Sequence, residues 1–519
     1  MFVTSHWLTA TTLSLSRARQ SLSAKEHTEI LEPLSPGHAS GQRIAALRDA
    51  MFASQKVNTS ESRAAGHWAL RVAALDAPPA PLPTRFAPDG VDLLPRMRET
   101  HAQTRILAHA IHSGTWRTSS GNTCAHVVHL GIGGSDTGPK LLIDALQDCG
   151  KPVSTHSISV HFLSNLDYHA TVHTLASLNP QATLVVLVSK SMSTQETMNN
   201  AQHVLRWMSE AGVVNPKANL IAVTSQTNRA DAMGVPPAQT LWFDDSIGGR
   251  FSLWGPVSLT ARIALGNDSV DALIAGGAEM DAHFVSQPLV QNMPAVLAAT
   301  DLYNLRTRQL PTLMVSAYDS RLSQLVPYLK QLWMESLGKH VDSGGRPIDG
   351  PACPILWGDV GTNAQHAFFQ LLHQGMQGVS IDLIGVITPE HQEIENHQAL
   401  LANLIAQAQA LSIGRANDDA NKSCWGGHPV NLMLMKKCDA RGLGALLALW
   451  EHRVLCLAAL TGVNPFDQWG VELGKSIATS ALQALSLANA NNTTDSTSGL
   501  DAISLEVVKW LQDASREEI

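Results

Sequence analysis

The sequence of 519 residues lacks the features that mark several broad classes of protein. It has six cysteines but no CxxC pair, and the nearest approach to the spacing of metal ligands is the isolated combination of Cys424 and His428. We therefore expect free, mostly buried thiols in a reducing compartment, with neither a zinc site nor a disulfide framework. The six are Cys124, Cys149, Cys353, Cys424, Cys438 and Cys456.

Segments that would direct the chain into or across a membrane are also missing. No run of about 18 apolar residues occurs, so no spanning helix is expected. Residues 1–20 lack the basic stretch and following apolar core that are typical of a signal peptide. Lys and Arg total 36 against 44 Asp and Glu, a formal charge of −8, which argues against a nucleic-acid-binding surface. We expect a cytoplasmic protein that holds anionic ligands by local groups.

The composition is that of a large folded protein. Hydrophobic residues make up 44% and charged residues 15%, which excludes disorder throughout. The length predicts two to three domains. Ala77–Pro83 reads as an extended proline-rich connector, and Asn489–Gly499 as a flexible polar linker before a tail helix. We predict a helical N-terminal segment over 1–115, α/β domains over 116–300 and 301–485, and the linker with its helix over 486–519.

Short apolar runs separated by helical stretches predict the two α/β domains. Such runs are typical of buried parallel strands joined by crossover helices. Helices are expected from 255 to 308, between the two sheets. The predicted strands are His126–Leu130, Ile158–Phe162, Thr183–Val188 and Asn219–Val223 in the first sheet, and Pro311–Ser316, Cys353–Trp357 and Val379–Ile384 in the second.

Two polar loops follow predicted strands of the first sheet. Gly131–Gly138, GIGGSDTG, suits an anion site at a helix N-terminus, but a tight strand-to-helix turn explains it equally well. It differs from the dinucleotide fingerprint in the position of its last glycine. Ser189–Glu196, SKSMSTQE, gathers four hydroxyls and a lysine at a strand end. A capped helix needs only one hydroxyl, so this cluster favours a phosphate site.

Two further motifs carry charged side chains. Arg250 follows two glycines, where it could enter a cleft or form a surface ion pair with Asp245. Glu335 follows an apolar run on a predicted helix, and Gly338 comes three residues later. We interpret Glu335 as a candidate general base.

Five polar residues in the C-terminal half have weaker signals. His366 is placed in or near the first turn of a helix, and His373 on the same helix reads as a satisfied core histidine. Gln468 and Lys475 lie seven residues apart, which would put them on one helix face. Glu472 and Lys475 could equally be surface residues of an amphipathic helix.

Together these motifs resemble the glucose-6-phosphate isomerase family over about residues 120–480. Two segments are close to signatures: Ile247–Trp254, IGGRFSLW, and Pro465–Lys475, PFDQWGVELGK. The resemblance implies two sugar-isomerase (SIS-type) αβα sandwich domains with mainly parallel sheets, plus helical extensions at both ends. It also implies a homodimer with the histidine supplied across the interface, a sugar-phosphate substrate, and no metal or organic cofactor.

The resemblance also implies a role for each site residue. Glu335 would transfer the proton between C2 and C1 through a cis-enediol, and Arg250 would stabilise that intermediate. His366 and Lys475 would assist ring opening. The expected substrate contacts are Gly134, Ser135, Ser189, Lys190, Ser191, Thr194, Gln331 and Gln468.

The sequence departs from the family pattern at a few positions. This chain has Leu337 where the family usually has Asn, and Asp359 and Val360 where it usually has Glu-Pro. It has Ser191 in place of Thr, a change that keeps the hydroxyl. The catalytic set is intact, which disfavours a non-catalytic sugar-phosphate sensor. An isomerase for another aldose phosphate, such as mannose 6-phosphate, stays open as an alternative.

Overall fold

The computed structural model describes residues 7–147, 158–487 and 499–517. The chain forms two compact units, residues 1–466 and residues 467–519. The four-part division predicted from the sequence stays a prediction. Cys149 and nearly all of the predicted linker lie outside the described residues, and the five described cysteines are not disulfide-bonded.

The first sheet has five parallel strands in the order β4-β3-β5-β6-β7. Every residue of β5 and β6 is buried, as expected for parallel strands covered on both faces. The four predicted strands are confirmed within one residue at each end; β7, only three residues long, was missed. The strands are β3 His126–Leu130, β4 Ser159–Leu163, β5 Thr183–Val188, β6 Leu220–Thr224 and β7 Thr240–Trp242.

The second sheet has six strands in the order β1-β2-β11-β10-β8-β9. Strands β8 to β11 are parallel, whereas β2 pairs antiparallel with both β1 and β11. The three predicted strands are confirmed with shifted ends. The strands are β1 Trp7–Ala10, β2 Leu13–Arg19, β8 Thr312–Tyr318, β9 Ile355–Val360, β10 Ser380–Val386 and β11 Val430–Met435.

The hairpin of β1 and β2 corrects the prediction of a purely helical N-terminal segment. Leu13 and Leu15 are buried at alternate positions, a strand period that places both in the core. The remainder of the segment is helical, as predicted. Its helices are α1 Ala24–Leu31, α2 Ala39–Phe52, α3 His67–Ala73 and α4 Leu94–His112.

Helices pack around both sheets. The helices expected between the sheets are confirmed as α9 Leu259–Leu265, α10 Asn267–Ser286 and α11 Met293–Arg306. The first sheet carries α5 Thr137–Leu146, α6 Tyr168–Leu175, α7 Gln195–Glu210 and α8 Thr227–Met233. The second carries α12 Leu325–Lys330, α13 Gly361–Gln365, α14 Phe369–Gln374, α15 Ile394–Ile413 and α16 Ala440–Thr461.

Helix α16 lies at the centre of the core and packs against α10 and α11. Its length and hydropathy would allow it to cross a membrane, but its apolar stretch is entirely buried inside the protein. Glu451 and Arg453 interrupt that stretch and are paired: Arg71 donates to Glu451 at 2.7 Å, and Arg453 to Asp301 at 2.6 Å. Buried charges need such partners, so these pairs fix how α16 sits against its neighbours.

The unit of residues 467–519 contains two helices, α17 Glu472–Leu487 and α18 Ala502–Glu517. Helix α18 is the predicted tail helix, and it packs against α17, where Gln512 Nε2 donates to the Ala484 carbonyl at 3.0 Å. Several large apolar side chains of both helices stay exposed. They are Leu473, Ile477, Leu482 and Leu485 on α17, and Ile503, Val507, Trp510 and Leu511 on α18.

Candidate active site

Two glycine-rich turns meet just beyond the carboxyl end of β3. The turn Gly133–Ser135 follows β3, and the turn Gly249–Phe251 carries Arg250. A Cβ on Gly134 would lie 2.1 Å from the carbonyl carbon of Gly249. Only glycine allows this backbone approach, so Gly134 sets the position of the arginine whatever ligand the loop binds.

Arg250 points into the protein and not to the surface. It is 3% exposed, its Nε donates to Ser336 Oγ at 2.6 Å, and its Nη2 donates to the Pro465 carbonyl at 2.6 Å. Its Nη1 lies 3.4 Å from Glu335 Oε1. The alternative of a surface ion pair with Asp245 is therefore wrong. The guanidinium is held on two sides and turns its third nitrogen toward the candidate base.

Glu335 ends a π-helical turn, Gln331–Glu335, that continues α12. Such turns are rare and are frequently found at functional sites. Leu332 and Trp333 are fully buried, while the Glu335 side chain is 22% exposed. The structure thus anchors the backbone of the turn in the core and leaves the carboxylate partly open to a ligand.

Gln331, at the start of the same turn, faces the first glycine loop. A Cβ on Gly133 would lie 2.9 Å from Gln331 Nε2. Its Oε1 is buried and has no hydrogen-bond partner within the described part of the chain. A buried acceptor without a partner is costly, so Gln331 suits contact with a polar ligand.

The serine-rich loop lies between β5 and α7. Thr194 is the N-cap of α7, but its side chain makes no capping hydrogen bond. Instead Ser189 Oγ donates to Thr194 Oγ1 at 3.4 Å, and Ser193 Oγ to Ser191 Oγ at 2.8 Å. The capped-helix alternative is therefore wrong for this loop. Hydroxyls gathered at the N-terminus of a 16-residue helix suit an anion.

Lys190 belongs to this loop, but its ammonium group points elsewhere. Its Nζ donates to the carbonyls of Asp245 at 2.7 Å and Ile247 at 3.1 Å, and lies 4.0 Å from Asp245 Oδ1. Burial lowers the pKa of Lys190, and the charge of Asp245 partly offsets this.

The family assignment follows from comparison of this chain with known proteins. A model of the phosphoglucose isomerase family matches residues 24–501. The chain belongs to that family. It is 42% identical over 443 residues to the glucose-6-phosphate isomerase of Rhizorhabdus wittichii, covering 85% of this chain and 84% of the relative. The corresponding protein of Cupriavidus metallidurans is 38% identical and covers 84% of this chain and 81% of its own length.

A solved structure supports the same family. The crystal structure of a glucose-6-phosphate isomerase from Chlamydia trachomatis has a TM-score of 0.84 and 27% identity. The match covers 98% of this chain and 93% of the Chlamydia trachomatis chain. The predicted fold class, two mainly parallel α/β sheets flanked by helices with additional helical segments, is thereby confirmed.

Two departures from the family pattern can be placed in the structure. Leu337 is fully buried in the hydrophobic core. Asp359 is exposed, and its Oδ1 accepts the backbone N–H of Val360 at 2.7 Å. Neither change removes a side chain from the Glu335–Arg250 pair.

His366 lies in the turn between α13 and α14, not in the first turn of a helix. Helix α13 has only five residues and ends at Gln365, because His366 and the next two residues adopt a turn. The His366 side chain is exposed. His373 shares a hydrogen bond with Gln407 at 2.9 Å, as expected for a satisfied histidine, but it is half-buried and not a core residue.

Gln468 and Lys475 both belong to the unit of residues 467–519, and the prediction that they share one helix face is wrong. Gln468 precedes the 3-10 turn Trp469–Val471 in a non-helical conformation, and α17 begins only at Glu472. Lys475 lies in the first turn of α17, where its Nζ is 2.8 Å from Glu472 Oε1 and both side chains are exposed.

Sequence reasoning missed three groups of the site. Two of these groups, Ser336 and the Pro465 carbonyl, hold Arg250. The only sequence signal for them was that Ser336 lies in the motif of Glu335 and Pro465 in the motif of Gln468. Asp136 follows the first glycine turn and is 8% exposed; burial raises its pKa to about 6, against the charge of Lys140.

Proposed function

We propose that this chain interconverts glucose 6-phosphate and fructose 6-phosphate at the site that contains Glu335 and Arg250. Family membership and the activity named for its relatives make it an aldose–ketose isomerase. The observation that carries the residue assignment is the 3.4 Å approach of the Arg250 guanidinium to the Glu335 carboxylate. A base and a fixed cation side by side are what proton transfer next to a carbonyl requires.

Glu335 takes the proton from C2 of the open-chain sugar and returns it to C1 through a cis-enediol. Negative charge develops on the neighbouring oxygens during this step, and Arg250 stabilises it. Arg250 is already tied by Ser336 and the Pro465 carbonyl, so little reorganisation is needed when the charge appears.

The phosphate is held by the hydroxyls of Ser189, Ser191 and Thr194 at the N-terminus of α7, with Gly134 and Ser135 nearby. The absence of a capping bond from Thr194 supports this assignment, since its hydroxyl, which accepts from Ser189, can still donate to a ligand. Anchoring remote from the reacting carbons positions C2 against Glu335. Gln331 and Gln468 are further substrate contacts.

Ring opening is assigned to His366 and Lys475. The exposed position of His366 suits a residue that serves the site of a second subunit, and we propose a homodimer that shares its sites in this way. The five described cysteines are not disulfide-bonded, which suits a cytoplasmic location.

Glu335→Gln tests the base. The amide keeps the size of the side chain but cannot accept the proton, so kcat should fall by at least the ~10²–10⁴-fold of general-base catalysis. Isomerisation and exchange of the C2 hydrogen with deuterated solvent should be lost together, while phosphate binding survives. Glu210→Gln, an exposed carboxylate at the end of α7, is the matched control and should be unaffected. Near-normal C2 exchange in Glu335→Gln would identify another residue as the base, and Glu472 would be examined next.

Subunit mixing tests the shared site. Glu335→Gln and His366→Ala are each expected to be inactive as homodimers. Exchange between them should produce heterodimers with one intact site and restore part of the activity. No recovery after exchange has been verified by mass spectrometry would mean that each subunit supplies its own histidine.

A further inference from the structure

The Lys190 side chain connects two loops of the active site. Its ammonium donates to the carbonyls of Asp245 and Ile247, two residues that precede the turn carrying Arg250. Both acceptors are backbone atoms, so the lysine fixes the backbone path of that segment whatever side chains the segment carries.

The backbone of Lys190 is itself firmly held. Its carbonyl accepts the Ser225 N–H at 3.2 Å, and also the hydroxyls of Thr224 and Ser225, both at 3.0 Å. These donors lie at the end of β6, a fully buried strand. The lysine therefore extends from a rigid part of the sheet to the loop over 245–249.

That loop sets the position of the Arg250 backbone. Gly249 packs directly on Gly134 in the first glycine turn, an approach that no Cβ at Gly134 would permit. A shift of the segment over 245–249 would thus displace the Arg250 backbone and the glycine turn together. A displacement of about 1 Å in a positioning group can cost on the order of 10²-fold in rate.

We propose that the Lys190 side chain is a positioning residue that holds the Arg250 loop, and that it is not a ligand of the substrate phosphate. Two of its three N–H donors are used by the loop carbonyls, and Nζ lies 4.0 Å from the Asp245 carboxylate. The phosphate is left to the neighbouring hydroxyls, and kcat rather than phosphate affinity depends on this lysine. Only the expected effect on the reaction rate rests on the proposed function.

Lys190→Met tests the proposal because it keeps the length of the side chain and removes the donors. We expect kcat for fructose 6-phosphate to fall about tenfold or more, because a displacement of about 1 Å in a positioning group can cost on the order of 10²-fold in rate. The dissociation constant of inorganic phosphate, measured by calorimetry, should stay within about threefold of the parent value. Backbone amides of residues 246–250 should exchange with deuterium faster. Lys190→Arg, which can donate to the same carbonyls, should restore part of the rate.

Two contrasts make the result specific. Thr194→Ala should weaken phosphate binding with little change in amide exchange at 246–250. Lys217→Met, at an exposed lysine before β6, should change none of these quantities.

The proposal is overturned if Lys190→Met weakens phosphate binding about tenfold or more, with or without a loss of kcat. The side chain would then be a phosphate ligand. Unchanged exchange at 246–250 also overturns it. If Lys190→Met does not fold, Lys190→Gln replaces it in the same measurements. If the parent protein fails to isomerise fructose 6-phosphate, the proposed function fails, but amide exchange and phosphate calorimetry still decide the role of Lys190.

Discussion

Removing the Ser336 hydroxyl should weaken both the fold and the reaction by releasing Arg250. The bond from Arg250 Nε to Ser336 Oγ is 2.6 Å long, and both residues are buried, at 3% and 0% exposure. In Ser336→Ala a charged N–H loses its partner with no access to water. We expect a loss of about 1.5–3 kcal/mol of unfolding free energy, the range for hydrogen bonds to charged groups.

The effect on the rate follows from what still holds the arginine. The Pro465 carbonyl remains bound to Nη2, and Glu335 lies 3.4 Å from Nη1, so the guanidinium stays near the site but is no longer fixed on two sides. Complete loss of a transition-state donor costs about 10²–10³-fold in kcat, and the partial displacement expected here should cost less, about 10–100-fold. KM should change little because the phosphate loop is untouched.

Ser316→Ala is the matched control. Its hydroxyl is also fully buried, on β8, but it has no hydrogen-bond partner in the described ranges of the chain. Urea midpoints at one protein concentration and steady-state rates with fructose 6-phosphate would be compared for both variants. If Ser336→Ala behaves like Ser316→Ala in both assays, the hydroxyl does not position Arg250, and our account of the arginine is refuted.

Three further outcomes are expected. The pKa of buried Asp136 is raised to about 6, so between about pH 4 and about pH 6 the folded state binds more protons than the unfolded one, and stability falls as the pH rises. Asp136→Asn should remove up to about 3 kcal/mol of this loss of stability. An unchanged pH dependence of the urea midpoint in this variant would contradict the prediction. Gly134→Ala should abolish isomerisation, because the new methyl group would meet the Gly249 backbone at 2.1 Å; normal kcat would show that the two turns can separate at no cost. Because Arg250 supplies the cation in our mechanism, activity should survive EDTA, and a loss that a divalent ion restores would contradict that assignment.

The parallel strands could be predicted because their signals are local. The assignment of Glu335 as the base also rests on a local signal, and it stays a prediction. Glu335 stands in a motif of a few residues, and β5 is a continuous apolar run. The environment of Arg250 could not be predicted, since the partners that bury it, Ser336 and Pro465, are 86 and 215 residues away. The surface ion pair with Asp245 was an alternative that the local sequence offered.

Other errors arose where a regular pattern extended beyond the actual element. The spacing of Gln468 and Lys475 fits one helix, but the chain turns before α17 begins. His366 was assigned to a helix that ends one residue earlier. The strands near the N-terminus were missed because their partner, β11, lies far along the chain, and a strand pattern that short is indistinct without its neighbour.

That pairing has a consequence for biosynthesis. Strand β2 completes its ladder only with β11, and the hydrogen bond between Gln20 and Asn431 spans 411 residues. At a synthesis rate of about 5–20 residues per second, the early hairpin waits roughly 20–80 s on the ribosome before its partner strand emerges. During that time an apolar edge is open to pairing with other nascent chains. Folding yield should therefore depend on chaperones that shield the start of the chain until translation has passed β11.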